Sequence, residues 1–503
     1  MKHYDCIFIG TGSANIILEE ALKLGLSCAQ IEKDKFGGTC LNRGCIPTKV
    51  LTTAADDLLE INRMQKIGIQ AELKGFDWEL ITSRVKYQIN QNIELRKFYK
   101  QTKNLDVYEG IARFINDRII EININNSDER VKITADKIYI GAGGRTNIPK
   151  IEGIENIDYL TPESIFLNKF PEKPYESLLI IGGGAIGCEF AHIFNAFGTK
   201  VTLVQHNVRL LPKVDHELSS ALFLAYKNRD IQIFLNKRTP KVQKIGSKII
   251  LTIEDRTSNQ RDVIQANNIL IVPGIIPNTD LLNLKDTTIV TDEKGWIKTN
   301  EFLETSAKDI FAFGDINGEA QFRHKANYEA DILAHNLSKP YKEWRFANYD
   351  NVPSVIFSNP EVSSVGLSEN EAKNKGYDIV IAKNKYSQTA KGFALGYDDS
   401  DSSSEAFAKL IIDKNSNHIL GFHAIGHYSS TLLQPFVNLL GAGDLVHQVI
   451  NPSIESENSK IARNSIKSRY LNPKNAQTVR ETMVAHPSLQ EIGIWTYYHR
   501  DDV

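Results

Sequence analysis

Cysteine is scarce in this chain. Five cysteines among 503 residues are too few for a secreted domain whose fold depends on disulfides. A surplus of charge is also missing: the formal net charge of −2 gives no field that would attract nucleic acid or a membrane surface. No run approaches the roughly 18 apolar residues of a membrane span, and no secretory signal precedes the first strand. We therefore expect a cytoplasmic protein that binds neither nucleic acid nor membrane.

The composition is that of a folded protein with several domains. With 503 residues, 42% of them hydrophobic and 24% charged, the chain exceeds a single hydrophobic core. Two glycine-rich junctions, at 10–15 and 182–187, each follow a short apolar run and precede a helical pattern. The second helical pattern consists of Phe190, Ile193, Phe194 and Phe197, followed by Gly198. Both junctions predict βαβ units and hence parallel sheets.

The first junction predicts a dinucleotide site. Gly10 and Gly12 let the backbone turn tightly and approach a pyrophosphate, which the N–H groups of the following helix then bind. Glu32 follows at the end of the next predicted strand, where a carboxylate accepts hydrogen bonds from a ribose diol. Asn15 stands in place of the usual third glycine or alanine. A chance glycine turn in an α/β protein is the alternative interpretation.

The second junction has all three glycines, Gly182, Gly184 and Gly187. Gln205 stands where the ribose-binding carboxylate is expected, and His206 and Arg209 follow it. Without an acid, a 2′-phosphate is not repelled, and a nearby arginine can bind one. These residues favour NADPH over NADH, unless Arg209 is simply solvated.

Cys40 and Cys45 lie between the two fingerprints. A chance pair or a metal site would be the alternatives, but metal sites usually bring C-x₂-C clusters and further ligands nearby. On an ideal helix their Cα atoms would be about 8 to 9 Å apart, whereas a disulfide needs about 4.4 to 6.8 Å. A bond between them requires a distorted turn, which Gly44 is placed to permit. We interpret the other cysteines as inert buried residues: Cys6, Cys28 and Cys188.

The segment 37–49, Gly-Gly-Thr-Cys-Leu-Asn-Arg-Gly-Cys-Ile-Pro-Thr-Lys, resembles the redox segment of the class I pyridine nucleotide-disulfide oxidoreductases. These flavoproteins include dihydrolipoamide dehydrogenase, glutathione reductase and mycothione reductase. Further matching stretches are 140–145, 277–278, 310–315 and 486–491. The opening Gly-Thr-Gly-Ser-Ala-Asn, the stretch 390–394 and the stretch 420–435 are most similar to mycothione reductase.

The resemblance implies FAD and NADP or NAD as cofactors and a small-molecule disulfide or dithiol as substrate. It implies that Cys45 lies against the flavin and that Cys40, nearer the surface, attacks the disulfide. It also implies that Lys49 and Glu189 pair beside the flavin's reactive nitrogen.

The resemblance assigns the remaining site residues as well. It implies that Asp315 and Gly143 bind FAD and that His486 is the general acid/base for Cys40, oriented by Glu491. In such enzymes this histidine comes from the other subunit, so the resemblance implies a homodimer. A thiol of pKa about 8.5 needs a base or a cation to react as a thiolate at neutral pH.

The sequence departs from the family pattern in three places. Pro273-Gly274-Ile275 replaces the usual Thr-Gly-Arg, which removes a cation close to the cofactors although Gly274 still lines the expected site. Ala142 replaces a threonine. An inserted loop or surface helix at 451–480 precedes His486, so the delivery of this histidine to the active site is an open question.

We predict an α/β chain with two Rossmann-like dinucleotide-binding domains and a C-terminal α+β dimerisation domain. The expected bounds are 1–150 and 281–347 for the FAD-binding domain, 151–280 for the NAD(P)-binding domain and 348–503 for the dimerisation domain, with a polar hairpin tip at 399–405. The expected activity is an NAD(P)H:disulfide oxidoreductase or, in reverse, a dihydrolipoamide dehydrogenase. The alternatives are a non-disulfide flavoenzyme, such as a transhydrogenase or an NAD(P)H oxidase, and a catalytically silent nucleotide-binding protein.

Overall fold

A computed structural model of the chain describes residues 1–398, 406–465, 468–472 and 481–487. The predicted hairpin tip at 399–405 and the predicted orienting residue Glu491 lie outside the described residues. Within the described ranges, no helix combines the length and the apolar character needed to cross a bilayer.

The first part of the chain alternates strands with helices and then forms an antiparallel meander. Its elements are β1 (Lys2–Ile9), α1 (Ala14–Lys23), β2 (Cys28–Glu32), α2 (Gly38–Arg43), α3 (Cys45–Lys66), α4 (Trp78–Gln101), β3 (Leu105–Asn116), β4 (Ile119–Ile124), β5 (Arg130–Ile140) and β6 (Gly144–Thr146). β1 is parallel to both β2 and β5, its two neighbours. All five residues of β2 are buried, as expected for a parallel sheet covered on both faces.

The middle part begins a second parallel sheet. Its elements are α5 (Pro162–Leu167), β7 (Ser177–Ile181), α6 (Ala185–Ala196), β8 (Lys200–Val204), α7 (His216–Lys227), β9 (Gln232–Phe234), β10 (Lys237–Ile245), β11 (Lys248–Asp255), β12 (Arg261–Ala266), β13 (Asn268–Ile271), β14 (Ile275–Pro277) and α8 (Thr279–Leu282). The parallel order is β13-β7-β8-β9, and β10 to β12 form an antiparallel sheet. The helix predicted after the second fingerprint is confirmed as α6.

The last part returns to the first sheet and then builds an antiparallel one. Its elements are β15 (Ile310–Ala312), α9 (Arg323–Ser338), β16 (Ser354–Ile356), β17 (Val362–Gly366), α10 (Glu369–Asn374), β18 (Ile379–Lys385), α11 (Ala390–Ala394), β19 (Phe407–Asp413), β20 (Ile419–Ile425), α12 (Ser429–Gly441), β21 (Gly443–Val446), α13 (Glu457–Ser465) and β22 (Ser468–Leu471). β15 pairs with β5, so the first sheet is built from two separate chain segments. β16-β17-β20-β19-β18 form the antiparallel sheet. The predicted fold class is confirmed, and α13 lies in the predicted insertion.

A shared hydrophobic core holds α3 against α6. Its members include Leu51 and Ala55 on α3 and Cys188, Phe190, Ile193 and Phe194 on α6, each at most 1% exposed. Because close-packed side chains fix the distance between two helices, this core sets the relative position of the polar residues at the N-terminal ends of both helices.

Candidate active site

The two predicted redox cysteines lie on either side of a break between two helices. Cys40 belongs to α2, and Cys45 is the first residue of α3. Gly44 between them has φ −132° and ψ −116°, so its backbone continues neither helix. A Cβ on Gly44 would also lie 3.1 Å from the carbonyl oxygen of Thr39. The predicted distortion at this glycine is therefore confirmed.

Buried polar contacts hold the helix of Cys40 in place. Asn42 is fully buried, and its Nδ2 donates to the carbonyl oxygens of Phe36 and Gly38 at 2.8 and 2.9 Å. Arg43 forms an ion pair with Asp34 at 2.5 Å. The short helix α2 is thus anchored to the loop before it, which limits the movement of the Cys40 side chain.

Three reactive side chains converge at this break. The Sγ of Cys40 lies 3.1 Å from Nε2 of His486. One ligand atom from each of Cys40, Cys45 and His486 lies within 4.8 Å of the other two, and both cysteines are described as thiols. Cys40 is buried, at 7% exposed, whereas Cys45 is partly exposed, so the expectation that Cys40 lies nearer the surface is wrong for this arrangement, in which His486 lies against Cys40. The structure therefore brings together two cysteines that are close in sequence and a histidine that is 446 positions away from Cys40.

The surroundings of Cys45 act on its acidity in opposite directions. A hydrogen bond with Cys40 and burial raise the pKa of the Cys45 thiol well above its usual value, while His486 lowers this pKa. Burial disfavours the thiolate, whereas the imidazole favours it. His486 is therefore the group of this cluster that promotes ionisation of Cys45.

Lys49 and Glu189 form an ion pair across the two helices held together by the shared core. The Lys49 Nζ lies 3.2 Å from Oε2 of Glu189 and 4.0 Å from the centre of the Phe357 ring. The other oxygen of Glu189 accepts a hydrogen bond from the backbone N–H of Phe357 at 3.0 Å. The pairing implied by the resemblance is thus present, one turn of α3 after Cys45.

A cleft of about 320 Å³ adjoins the dithiol and is lined by the first fingerprint. A Cβ at Gly10 would lie 2.5 Å from the carbonyl oxygen of Gly141, and one at Gly38 would lie 2.8 Å from the Cα of Gly12. A Cβ at Gly143 would point into open space. The glycines thus leave the N-terminal end of α1 accessible from the cleft, as the binding of a pyrophosphate requires.

Two acidic residues line the same cleft. Glu32 accepts hydrogen bonds from the backbone N–H and the hydroxyl of Thr11 at 3.0 and 2.6 Å, and from the N–H of Asp34. Its carboxylate therefore also holds the glycine loop. Burial raises the pKa of the Asp315 carboxyl, and Lys325 opposes this shift. Asn15, the departure in the first fingerprint, accepts a hydrogen bond from the buried Gln30 side chain at 2.8 Å.

The second fingerprint has the close backbone packing that its glycines predict. A Cβ at Gly187 would lie 1.8 Å from the carbonyl oxygen of Gly182, which itself has φ +121°. A Cβ at Gly184 would meet open space. The N-terminus of α6 is therefore approachable by a second phosphate group.

Gln205, predicted to lie at the ribose, is turned into its own loop. It is 4% exposed, and its Oε1 accepts from the N–H groups of Gly183 and His206 at 3.0 and 3.1 Å. Its Nε2 donates to the carbonyl oxygen of Arg209, whose guanidinium donates to Pro212. Gln205 thus stabilises the turn that presents the neighbouring basic residues.

Two arginines that sequence analysis did not single out lie beside this turn. Nη1 of Arg256 donates to the carbonyl oxygen of His206 at 3.3 Å. Burial, Arg256 and Arg238 all lower the pKa of His206. Both arginines are distant from the fingerprint in sequence, so no local spacing pointed to them.

Ile275, which replaces the usual arginine, lies on β14, and β14 pairs with β6. Gly274 before it has φ +140°. Arg145 on β6 lines the cleft and makes an ion pair with Asp280, at 2.8 Å from each carboxylate oxygen. A cation is therefore present at this pair of strands, but it is Arg145 on β6 and not a residue of β14.

His324 is a further residue that sequence analysis missed. It is 7% exposed, and its Nδ1 lies 3.5 Å from the backbone N of His486. Arg323 before it lines the cleft near Gly12. Both residues begin α9, eight or nine positions after Asp315. No motif or periodicity of the sequence sets them apart.

Comparison with known protein families accounts for most of the chain. The family described as "Pyridine nucleotide-disulphide oxidoreductase" matches residues 4–330. The family described as "Pyridine nucleotide-disulphide oxidoreductase, dimerisation domain" matches residues 352–452. The first match contains the dithiol and both fingerprints, and the second contains the antiparallel sheet.

Individual proteins are similar over nearly the whole length. Mycothione reductase of Mycobacterium tuberculosis is 32% identical over 449 residues, which cover 88% of this chain and 94% of that enzyme. Dihydrolipoyl dehydrogenase of Bacillus subtilis is 29% identical, covering 86% of this chain and 90% of that enzyme. The HOCl-induced flavoprotein disulfide reductase RclA of Escherichia coli, in its Cu(II) complex, has the same fold, with a TM-score of 0.73 at 23% identity and 99% coverage of both chains.

Proposed function

Because this chain belongs to the pyridine nucleotide-disulphide oxidoreductase family, we propose that it uses reduced nicotinamide to reduce a small-molecule disulfide at Cys40 and Cys45. The chain is a FAD-dependent NAD(P)H:disulfide oxidoreductase, and the proposal concerns its substrate and the roles of its residues. The observation that carries it is the 3.1 Å contact between Cys40 Sγ and His486 Nε2 beside Cys45.

The residues of the cleft fit the cofactor that this family uses. FAD, when bound, would accept a hydride from the nicotinamide and pass the electron pair to the disulfide of Cys40 and Cys45, which regenerates the two thiols. Gly10, Gly12 and Gly143 would hold its phosphates, and Glu32 and Asp315 would bind its hydroxyl-bearing parts. Lys49, which is paired with Glu189, would supply a fixed positive charge to the bound flavin.

Cys40 acts on the substrate in this proposal. Its thiolate attacks one sulfur of the disulfide, and the first product leaves as a thiol. His486 at 3.1 Å takes the proton of the Cys40 thiol at Nε2 and returns a proton to the leaving sulfur. The Cys45 thiolate then attacks the Cys40 sulfur and releases the second thiol, so that the two cysteines end as a disulfide.

The overall reaction balances with reagents that the family uses. One sulfur–sulfur bond of the substrate breaks and two thiols form. NAD(P)H gives up a hydride to become NAD(P)⁺, and one proton is taken from water. Dihydrolipoamide oxidation is the same sequence in reverse, and disulfide reduction is the direction that the basic turn around His206 favours, because it suits NADPH.

We further propose that the substrate is a low-molecular-weight disulfide of the kind that mycothione reductase takes. The support is the 32% identity to that enzyme over 88% of this chain. We also propose a homodimer, because residues 352–452 match the dimerisation domain of the family. The cytoplasm is the compartment expected for a dithiol that must be kept reduced.

A substrate panel tests the function. Purified holoenzyme is assayed with the disulfides of lipoamide, glutathione, trypanothione, bacillithiol and mycothiol, each with NADH and with NADPH. We expect one disulfide to be turned over with a kcat/KM at least tenfold above the others. Turnover of none of them, by enzyme that contains FAD and is reduced by nicotinamide, would contradict a small-molecule disulfide substrate and favour an oxidase or a transhydrogenase.

A further inference from the structure

A buried lysine of the antiparallel sheet faces the first turn of α7. Lys409, on β19, is fully buried, and its Nζ lies 3.2 Å from Oδ1 of Asp215 and 2.7 Å from Oε2 of Glu217. Asp215 is the N-cap of α7, and Glu217 lies in the first turn of that helix. A third carboxylate, that of Glu369 at the start of α10, lies 2.8 Å from the same nitrogen. One ammonium group thus holds three acidic side chains from two other elements.

The contact is one between charged groups. Burial alone would lower the pKa of Lys409, but hydrogen bonds with Glu217 and Glu369 raise it. Burial would raise the pKa of Asp215, and Lys409 is the main influence that lowers it. Because a buried charge that loses its partner is costly, these charges hold β19 and the start of α7 together.

A hydrophobic core supports the same contact. Phe407 on β19 belongs to the same core cluster as Leu218 and Leu222 of α7, and all three are fully buried. Because side chains alternate between the two faces of a strand, Phe407 and Lys409 lie on one face of β19. The lysine is therefore part of a packed boundary between the sheet and the helix.

The helix α7 in turn holds the chain that precedes it. The hydroxyl of Ser219, which is 1% exposed, donates to the carbonyl oxygen of Leu210 at 2.6 Å. The N–H of Leu211 donates to the carbonyl oxygen of Gly183 at 2.8 Å, and Leu211 has φ +45°. A leucine in the left-handed region is strained and persists only where its surroundings fix it. The shape of this stretch therefore depends on α7 at one end and on the second glycine fingerprint at the other.

The segment 205–215, here called the nucleotide loop, contains Gln205 and the basic residues that follow it. The side chain of Gln205 accepts a hydrogen bond from the N–H of Gly183 at 3.0 Å. The last residue of the loop, Asp215, is the one that Lys409 holds. A continuous series of contacts thus leads from the antiparallel sheet through the nucleotide loop to the second fingerprint.

We propose that Lys409 is a positioning residue for NAD(P)H, because by fixing Asp215 and the start of α7 it holds the nucleotide loop in the shape that binds the cofactor. The role assigned to Lys409 rests on the proposed function, since it takes the nucleotide loop as the place where NAD(P)H binds. Lys409 is fully buried, so it acts through the loop and not by contact with the cofactor. Its loss should weaken the binding of NADPH without slowing hydride transfer from NADPH that is bound.

Anaerobic reduction of FAD by NADPH tests this role and needs no disulfide substrate. The rate of flavin reduction at a series of NADPH concentrations gives a half-saturating concentration and a limiting rate. We expect Lys409→Met holoenzyme to have a half-saturating concentration raised roughly 10- to 100-fold, because a group misplaced by about 1 Å can cost as much, and an unchanged limiting rate. Lys409→Arg keeps the charge and should restore most of the affinity. An unchanged half-saturating concentration in folded Lys409→Met would overturn the proposal.

The matched control is Lys373→Met. Lys373 binds the other carboxylate oxygen of Glu369 at 2.7 Å, but its side chain is 55% exposed and lies on α10. We expect this variant to reproduce both wild-type values. An equal rise in the half-saturating concentration for Lys373→Met and Lys409→Met would indicate a general disturbance of the acidic cluster and would also overturn the proposal.

A second variant covers the case in which Lys409→Met does not fold. In Lys409→Met/Asp215→Asn, the amide oxygen can still accept from the N–H of Glu217 as an N-cap. The two remaining carboxylates, those of Glu217 and Glu369, keep lysine partners on their other oxygens at 3.1 and 2.7 Å. We expect this protein to fold with the same raised half-saturating concentration for NADPH, and a wild-type value would contradict the role of Lys409.

Hydrogen exchange gives a readout that does not depend on catalysis. The N–H of Leu211, which bonds to Gly183, should exchange faster in Lys409→Met than in wild type or Lys373→Met, because the nucleotide loop opens more often when α7 is released. The same exchange rate in all three proteins would show that Lys409 does not hold the loop.

Arg256→Ala separates the role of Lys409 from the placement of the nucleotide. Arg256 contacts the loop at His206. If Arg256→Ala raised the half-saturating concentration of NADPH and Lys409→Met did not, only the role of Lys409 would have failed. If neither variant raised it, NAD(P)H would not bind at this loop, and both would have failed.

Discussion

The backbone N–H of His486 donates to Nδ1 of His324 over 3.5 Å. Nε2 of the same imidazole lies 2.8 Å from the carbonyl oxygen of Pro353. Because a carbonyl can only accept, the proton of His324 is on Nε2 and its Nδ1 is available as an acceptor. Burial lowers the pKa of His324 to about 4. A neutral, buried imidazole thus positions the backbone of the proposed acid/base.

His324 should make stability depend on pH. Its folded-state pKa of about 4 lies below the unfolded value of 6.5, so its contribution is complete above about pH 6.5 and is lost as the pH falls towards 4. We expect the urea midpoint of wild type to fall more between pH 7.5 and pH 5 than that of His324→Gln, which cannot titrate. If the urea midpoint changed equally with pH in the two proteins, His324 would not be buried as a neutral group.

Replacing His486 should affect both turnover and thiol acidity. We expect His486→Gln to lower disulfide turnover by about 10² to 10⁴, the usual contribution of a general base. The pKa of the Cys45 thiol should rise as well, because His486 is the influence that lowers it. In a pH titration of the reduced His486→Gln enzyme, the absorbance of the thiolate should therefore appear at a higher pH than in wild type. Unchanged turnover with full FAD content would remove His486 from the reaction.

Cys45 should be required for the optical signature of the dithiol. Anaerobic NADPH or NADH should give wild type a long-wavelength charge-transfer band, because a thiolate donates electron density to the adjacent flavin. We expect Cys45→Ser to bind FAD and lack this band. Cys28→Ala, which alters a fully buried cysteine on β2, is the matched control and should keep it. A band of normal strength in Cys45→Ser would place another donor at the flavin.

The basic turn after β8 should set the preference for the nicotinamide. Arg256 contacts His206, and a 2′-phosphate bound there would meet a positive charge. We expect wild type to have a higher kcat/KM for NADPH than for NADH. Arg256→Ala should lower the value for NADPH about tenfold and leave that for NADH nearly unchanged, as expected when roughly 1.4 kcal/mol of one charged contact is lost.

The control for Arg256→Ala is Lys244→Ala. This variant removes an exposed lysine from β10, the strand that begins with Lys237 and Arg238. It should change neither kcat/KM value. A parallel loss for both nicotinamides in Arg256→Ala would instead indicate a general disturbance of the turn.

The two fingerprints and the dithiol could be predicted because each depends on residues that are near one another in sequence. Gly44 lies next to Cys45, and the break between α2 and α3 is the distortion that its position predicts. Gly182 and Gly187 likewise lie in one turn, where the close backbone contact is local. The role of Gln205 was harder to predict, because the same side chain can face a ribose or its own loop. In the structure it is buried and accepts a hydrogen bond from the N–H of Gly183 in its own loop.

By itself, the sequence determined the order of strands and helices, the two phosphate-binding turns and the reducible pair, because short-range sterics and periodicity govern all of them. Only the tertiary structure decided which distant groups act on that pair. Lys49 meets Glu189 because two helices share a core. His486 lies beside Cys40 although 446 positions separate the two residues, and a contact over such a separation leaves no spacing that a sequence can show.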